Sequence, residues 1–149
     1  MIPAMQLVIV GDGVDRRRLE DKYAGVSEVK FLGKVLPPDL YEIYKIGSVF
    51  VTASEIETQG IVLIEAAASG LPLIAVDKGA VGEVCINNKN GYLCRPGDVD
   101  EISDAIVKIL SNLERRKEFA QKSIEIAGEH DFEKTLEKFI EIYGKVSRK

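Results

Sequence analysis

Strand-like and helix-like segments alternate along most of this chain, and that alternation limits the fold more than composition does. Gln6 to Val10 is a continuous apolar run ending at Gly11-Asp12-Gly13, and a charged helical stretch over 15–24 follows it. Val29 to Leu32 is closed by Gly33, and Pro37 and Pro38 open a short helix through Lys45. The β-branched run 49–53 leads through a loop bearing Glu55 and Glu57 into an apolar helix, which Gly70 and Pro72 stop. Leu73 to Val76 and Gly91 to Cys94 read as further strands. Asn90 or Gly91 is expected to supply the positive φ of the turn between them. From Asp98 the chain reads as three helices, with Asp98 capping the first and Asp131 opening the last. Strands apolar throughout and separated by helices predict an α/β fold: a doubly wound parallel sheet covered by helices on each side.

Composition narrows the function classes. A chain of 149 residues with 46% hydrophobic content can bury one core, so one domain is expected. A net charge of −4 argues against a general nucleic-acid binder. The triplets Arg16-Arg17-Arg18 and Arg115-Arg116-Lys117 lie in amphipathic stretches rich in acids and read as solvated faces. Cys85 and Cys94 read as free buried thiols in a reducing compartment. There is no signal-like segment and no apolar run of the roughly 18 residues a membrane span needs. A soluble, cytoplasmic protein is expected. His130, the one histidine, sits in a polar junction and reads as a surface residue. No cluster has zinc-like spacing, so no metal is expected.

Glu65 is the residue that points to a function. It stands alone in Gly60-Ile61-Val62-Leu63-Ile64-Glu65-Ala66-Ala67-Ala68, a stretch otherwise apolar on every face. Such a helix reads as buried. A buried carboxylate must find hydrogen-bond donors or lose its charge. No lysine or arginine lies within a turn of it, so the donors come from elsewhere in the fold or from a ligand. Ligands of parallel sheets gather at the carboxyl ends of the strands. Here Gly11, Gly13, Gly33, Lys34, the segment 54–60 and the segment 77–79 crowd those ends. A dinucleotide is not expected, because the third glycine of its fingerprint would fall at Arg16.

Several segments together resemble the donor domain of retaining nucleotide-sugar glycosyltransferases of GT-B fold, family 4 (group 1). They are Leu7 to Gly13, Phe31 to Val35, Ser54 to Ala66, Ser69-Gly70-Leu71-Pro72, Gly82-Glu83, Asn90 to Leu93 and Pro96-Gly97-Asp98. That family's hallmark is a pair of glutamates with seven residues between them, and Glu57 and Glu65 have the spacing. The resemblance covers nearly the whole chain. It departs from the commonest pattern at Thr58-Gln59-Gly60, where Gly-Phe-Gly is usual.

The resemblance implies a site. The amides of Ile61 and Val62, with Gly60 allowing close approach, would hold the donor diphosphate at the positive end of the helix. Glu65 would accept hydrogen bonds from the ribose hydroxyls. Glu57, the expected catalytic-site carboxylate, would bond the transferred sugar, with Thr58 and Gln59 beside it. Gly11 and the Gly33-Lys34-Val35 loop would meet the nucleotide, the loop at its base. UDP and GDP are the expected nucleotides, and no metal or other cofactor is implied, since protein groups stabilise the leaving diphosphate.

The resemblance also implies what accompanies this domain. The donor domain of the family opens with a further strand and an Arg/Lys-bearing loop. In the order 3-2-1-4-5-6 that first strand is central, and here it is lacking. Residues 1–149 are therefore expected to be the Rossmann-like donor-binding part of a longer, metal-independent hexosyltransferase, inactive alone, its partner an amino-terminal acceptor domain. Self-association and a peripheral membrane acceptor at the inner face of the membrane are both compatible with this reading. Alternatives are a noncatalytic nucleotide-binding module, a related GT-B enzyme such as a nucleotide-sugar epimerase, and a structural domain. In the last, Glu65 would need an internal partner.

Overall fold

The computed structural model describes residues 5–146, and the chain forms two compact units, residues 1–43 and 44–149. In the first, β1 (Leu7–Val10) and β2 (Val29–Gly33) pair in parallel. Parallel neighbours need a crossover, supplied by α1 (Arg16–Tyr23). The register runs Leu7↔Val29 to Ile9↔Phe31, then shifts by one to Val10↔Gly33.

One expectation fails here. The strands were expected to be covered on both faces, yet Leu7 is 50% exposed and Val8 39%. The reason is local: among the described residues β1 pairs with β2 alone, and α1 is largely charged and buries no residue. Helix α2 (Asp39–Ile46) carries the chain from the first unit into the second.

The second unit holds β3 (Phe50–Thr52), α3 (Ile61–Ala68), β4 (Leu73–Val76) and β5 (Gly91–Cys94), then α4 (Val99–Leu110), α5 (Leu113–Ala127) and α6 (Phe132–Val146). Its sheet runs β3-β4-β5, all parallel. Every residue of β4 is buried, as its unbroken apolar run predicts. Successive strand residues face opposite sides. Ile74, with Tyr92 and Cys94 beside it, meets Ala105 and Ile109 of α4 and Phe119 of α5 in one core cluster. Helix α3 packs on β4 and along α5. Full burial of a side chain such as Leu63 or Leu73 stabilises by about 1.5–3 kcal/mol.

Each unit carries a sheet of parallel strands, with helices among its connections. The fold class is thus the α/β, Rossmann-like one expected. Asp98 caps α4 as predicted, Oδ1 accepting from the Glu101 amide at 2.9 Å. Asp131 opens α6 by accepting from Glu133 N–H at 2.9 Å. Asn112, which sequence reading passed over, caps α5 in the same way. No helix among the described residues is long and apolar enough to cross a membrane.

The turn before β5 is built differently from expectation. Positive φ falls on Asn88 (60°), and neither Asn90 nor Gly91 adopts it. Asn90 is fully buried, and its side-chain amide organises the turn. Its Oδ1 accepts from Ile86 N–H at 2.8 Å, and its Nδ2 donates to Val84 O at 2.9 Å and to Ser123 Oγ of α5 at 3.3 Å. Gly91 is a strand residue, small because a Cβ there would collide with the carbonyl oxygen of Leu73.

Candidate functional site

Helix α3 corrects the reading of Glu65 as a buried carboxylate. The stretch is apolar in sequence, but it is not buried on every face. Leu63, Ala66 and Ala67 face the core, whereas Ile61, Val62 and Ala68 are exposed and Glu65 is half-buried. At 100° per residue, positions 61, 62, 65 and 68 share one side of the helix. A carboxylate therefore stands in the middle of an open apolar helix face.

Glu65 also has an internal partner. Tyr44 Oη donates to its Oε2 at 3.2 Å, from a ring packed edge-on against Phe50 with centroids 5.9 Å apart. A buried tyrosine seeks a partner for its hydroxyl, which is the signal that could have found this residue. One phenolic donor satisfies only part of a carboxylate with roughly four acceptor positions. Glu65 as a whole is half-buried, among exposed neighbours on this side of the helix.

The start of α3 is set by Gly60, buried and left-handed (φ 66°). Its carbonyl accepts from Leu63 N–H at 2.9 Å and Ile64 N–H at 3.0 Å. No side chain at this N-cap reaches the first turn. By helix geometry the amides of Ile61 and Val62 have no acceptor within the helix. Exposed donors and the positive end of the dipole thus coincide one turn before Glu65.

The loop before α3 is fixed by its own polar groups. Glu57 is half-buried, and its Oε1 accepts from Gly60 N–H at 3.0 Å, a contact the sequence did not suggest. Thr58 and Gln59, between them, are exposed. The Glu57 carbonyl accepts from Ala80 N–H at 3.2 Å, and Lys78 Nζ bridges to Glu55 Oε2 at 2.7 Å. In this unit the structure brings together Glu57, Thr58, Gln59, Gly60, Ile61, Val62 and Glu65.

The remaining predicted residues belong to the first unit. Gly11 N–H donates to Gly33 O at 2.8 Å, which joins the ends of β1 and β2. Gly33 is buried, Val35 half-buried and Lys34 exposed. The Arg16 guanidinium lies over Gly33, so closely that a Cβ there would strike it. The hydrogen bond and charge of Glu20, 2.8 Å away, raise the arginine's already high pKa.

Comparison with known proteins bears on this arrangement. The family described as "Glycosyl transferases group 1" matches residues 1–126. A GDP-mannose-dependent alpha-mannosyltransferase of Mycobacterium tuberculosis is 35% identical over 122 residues, covering 81% of this chain and 32% of that protein. The crystal structure of the C-terminal domain of a glycosyl transferase group 1 family protein (LpcC) from Francisella tularensis superimposes with a TM-score of 0.73 at 27% identity. That match covers 83% of this chain and 68% of that one. The pneumococcal O-GlcNAc transferase GtfA, solved in complex with UDP and GlcNAc, gives a TM-score of 0.75 at 26% identity over 97% of this chain and 30% of its own. The chain spans about a third of the length of the first curated relatives it matches, 26%, 32% and 38% of three of them.

Proposed function

The chain belongs to the group 1 glycosyl transferases, and we propose that it is the donor-binding part of an enzyme that moves a sugar from a nucleotide diphosphate sugar to a hydroxyl. The single observation carrying this reading is the open face of α3. It sets unpaired amides at Ile61 and Val62, then a half-buried carboxylate at Glu65, along one side of one helix. A diphosphate suits the amides and helix dipole, and a ribose diol suits a carboxylate one turn on. The apolar surface of Ile61 and Val62 excludes water from both contacts. Glu57 stands at the opposite end of the glycine step, where the transferred sugar would follow the diphosphate.

In the proposed reaction the acceptor oxygen bonds to the anomeric carbon on the face the nucleotide leaves. The carbon–oxygen bond to the diphosphate breaks, and the hydroxyl proton passes to the departing phosphate oxygen. The helix N-terminus stabilises the charge that develops there. Glu57 orients the sugar, and no covalent role is assigned to it. The acceptor belongs to an amino-terminal domain of the longer protein. By the family resemblance, Gly33, Lys34 and Val35 would meet the base and Gly11 the nucleotide.

A structural reading has one observation on its side, the hydrogen bond from Tyr44 to Glu65. The two readings separate in a ligand-observed NMR titration with UDP, GDP and ADP, using the wild-type chain and Glu65→Ala. Binding of one nucleotide that weakens tenfold or more in Glu65→Ala is expected, as follows from losing charge-assisted hydrogen bonds. Silence from all three nucleotides, with a lowered melting temperature in Glu65→Ala, would leave Glu65 as an anchor for Tyr44 and nothing more.

A further inference from the structure

We propose that the Lys78-Gly79-Ala80 turn positions Glu57 and so sets how tightly the sugar of the donor is held, with Gly79 its key residue. The inference rests on the reading of Glu57 as the sugar-binding carboxylate. It is carried by the way two loops at the ends of β3 and β4 are fastened together.

After β4, Asp77 N–H donates to Cys94 O at 2.8 Å and Lys78 N–H to Val76 O at 2.8 Å, so the turn springs from a rigid base. Gly79 then takes φ +71°, a left-handed conformation that L-residues rarely adopt. That twist delivers the Ala80 amide to the carbonyl of Glu57 at 3.2 Å. A Cβ at position 79 would stand 2.5 Å from the same carbonyl oxygen and 3.5 Å from its carbon. The obstacle is backbone, which cannot swing aside as the end of a side chain can. Lys78 adds a second tie, its ammonium 2.7 Å from Glu55 two residues before Glu57.

Glu57 is therefore gripped twice. Its carbonyl is held from behind by Ala80, and its Oε1 by the Gly60 amide at 3.0 Å. Moving the first contact moves the second, because one residue carries both. The proposed diphosphate and ribose contacts, at the amides of Ile61 and Val62 and at Glu65, do not include the Ala80 tie. A change at Gly79 should consequently reach the sugar and spare the nucleotide. That selectivity separates positioning from a general loss of structure.

The test pairs Gly79→Ala with Lys78→Ala, the second removing the ion pair without backbone strain. Affinities for UDP, GDP, UDP-glucose, UDP-N-acetylglucosamine and GDP-mannose are measured by calorimetry on the whole chain. In Gly79→Ala the preferred nucleotide sugar is expected to weaken roughly tenfold, the worth of one charge-assisted hydrogen bond, with the bare nucleotide changed less than about twofold. Lys78→Ala should show the same pattern to a smaller degree. Equal weakening of nucleotide and nucleotide sugar would overturn the proposal, as would no weakening of either. The Gly60 amide resonance gives a readout that needs no ligand. It should shift in Gly79→Ala, and a resonance that stays in place overturns the positioning role. A wild-type chain that binds no nucleotide would refute the functional reading, and the Gly60 amide would then still decide the positioning claim.

Discussion

Cys85 shows how burial can write a pH dependence into a fold. Its thiol is wholly inside, with Sγ 3.6 Å from Tyr92 O and 3.8 Å from Leu73 O. Burial, followed by the nearby Cys94, pushes its pKa up to about 12 from an ordinary 9.0. Between those values the unfolded chain gives up the proton and the folded chain keeps it. The stability that the neutral thiol supplies is therefore complete below about pH 9 and is lost as pH rises toward 12. Urea unfolding at pH 8 and pH 10 should show a loss in wild type that is smaller in Cys85→Ala, the variant cancelling the background of lysines and tyrosines. Equal losses in both proteins would contradict the assignment. The two thiols as free and buried were legible from the sequence, since both lie in or beside apolar strand segments. The partner of Glu65 was not. Tyr44 is 21 residues away, and only packing brings its hydroxyl there.

The turn joining β4 to β5 and its tie to α5 depend on one side chain. Replacing Asn90 with Ala would strand the buried Val84 carbonyl and the Ile86 amide and leave Ser123 without this partner. A cost of about 2–4 kcal/mol is expected, read as a lower midpoint in chemical denaturation. A change below about 0.5 kcal/mol would mean water enters and replaces the amide. Strands β4 and β5 stand where their sequence puts them, because residues buried on both faces leave no choice of period. Helix α3 misled on exposure for an instructive reason. Apolar residues such as Ile61 and Val62 look alike whether they face a core or an open binding face, and only Glu65 among them hinted at the second. The Glu57–Gly60 hydrogen bond was likewise hidden, since a side chain turning back on its own loop leaves no periodic mark.

Across the molecule, burial is unequal. Residues 44–149 hold the core, centred on β4 with α3, α4 and α5 around it. The strand β1 and the helix α6 bury none of their residues, and α6 turns Phe132, Phe139, Ile140 and Tyr143 outward, each more than half exposed. Hydrogen exchange should rank accordingly: amides of β4 slowest, those of β1 and α6 faster by orders of magnitude. Uniform protection would show that these elements unfold as one with the core. The α/β alternation was plain in the sequence, but the open faces of β1 were not, because apolar strands report a wish for cover and not its presence. That strand carries a consequence for storage. Its apolar residues and single pairing within the described chain invite another copy to line up along it. Meeting another copy is bimolecular, so the encounter rate grows with the square of concentration. How long a stock stays dispersed is then decided by how crowded the tube is.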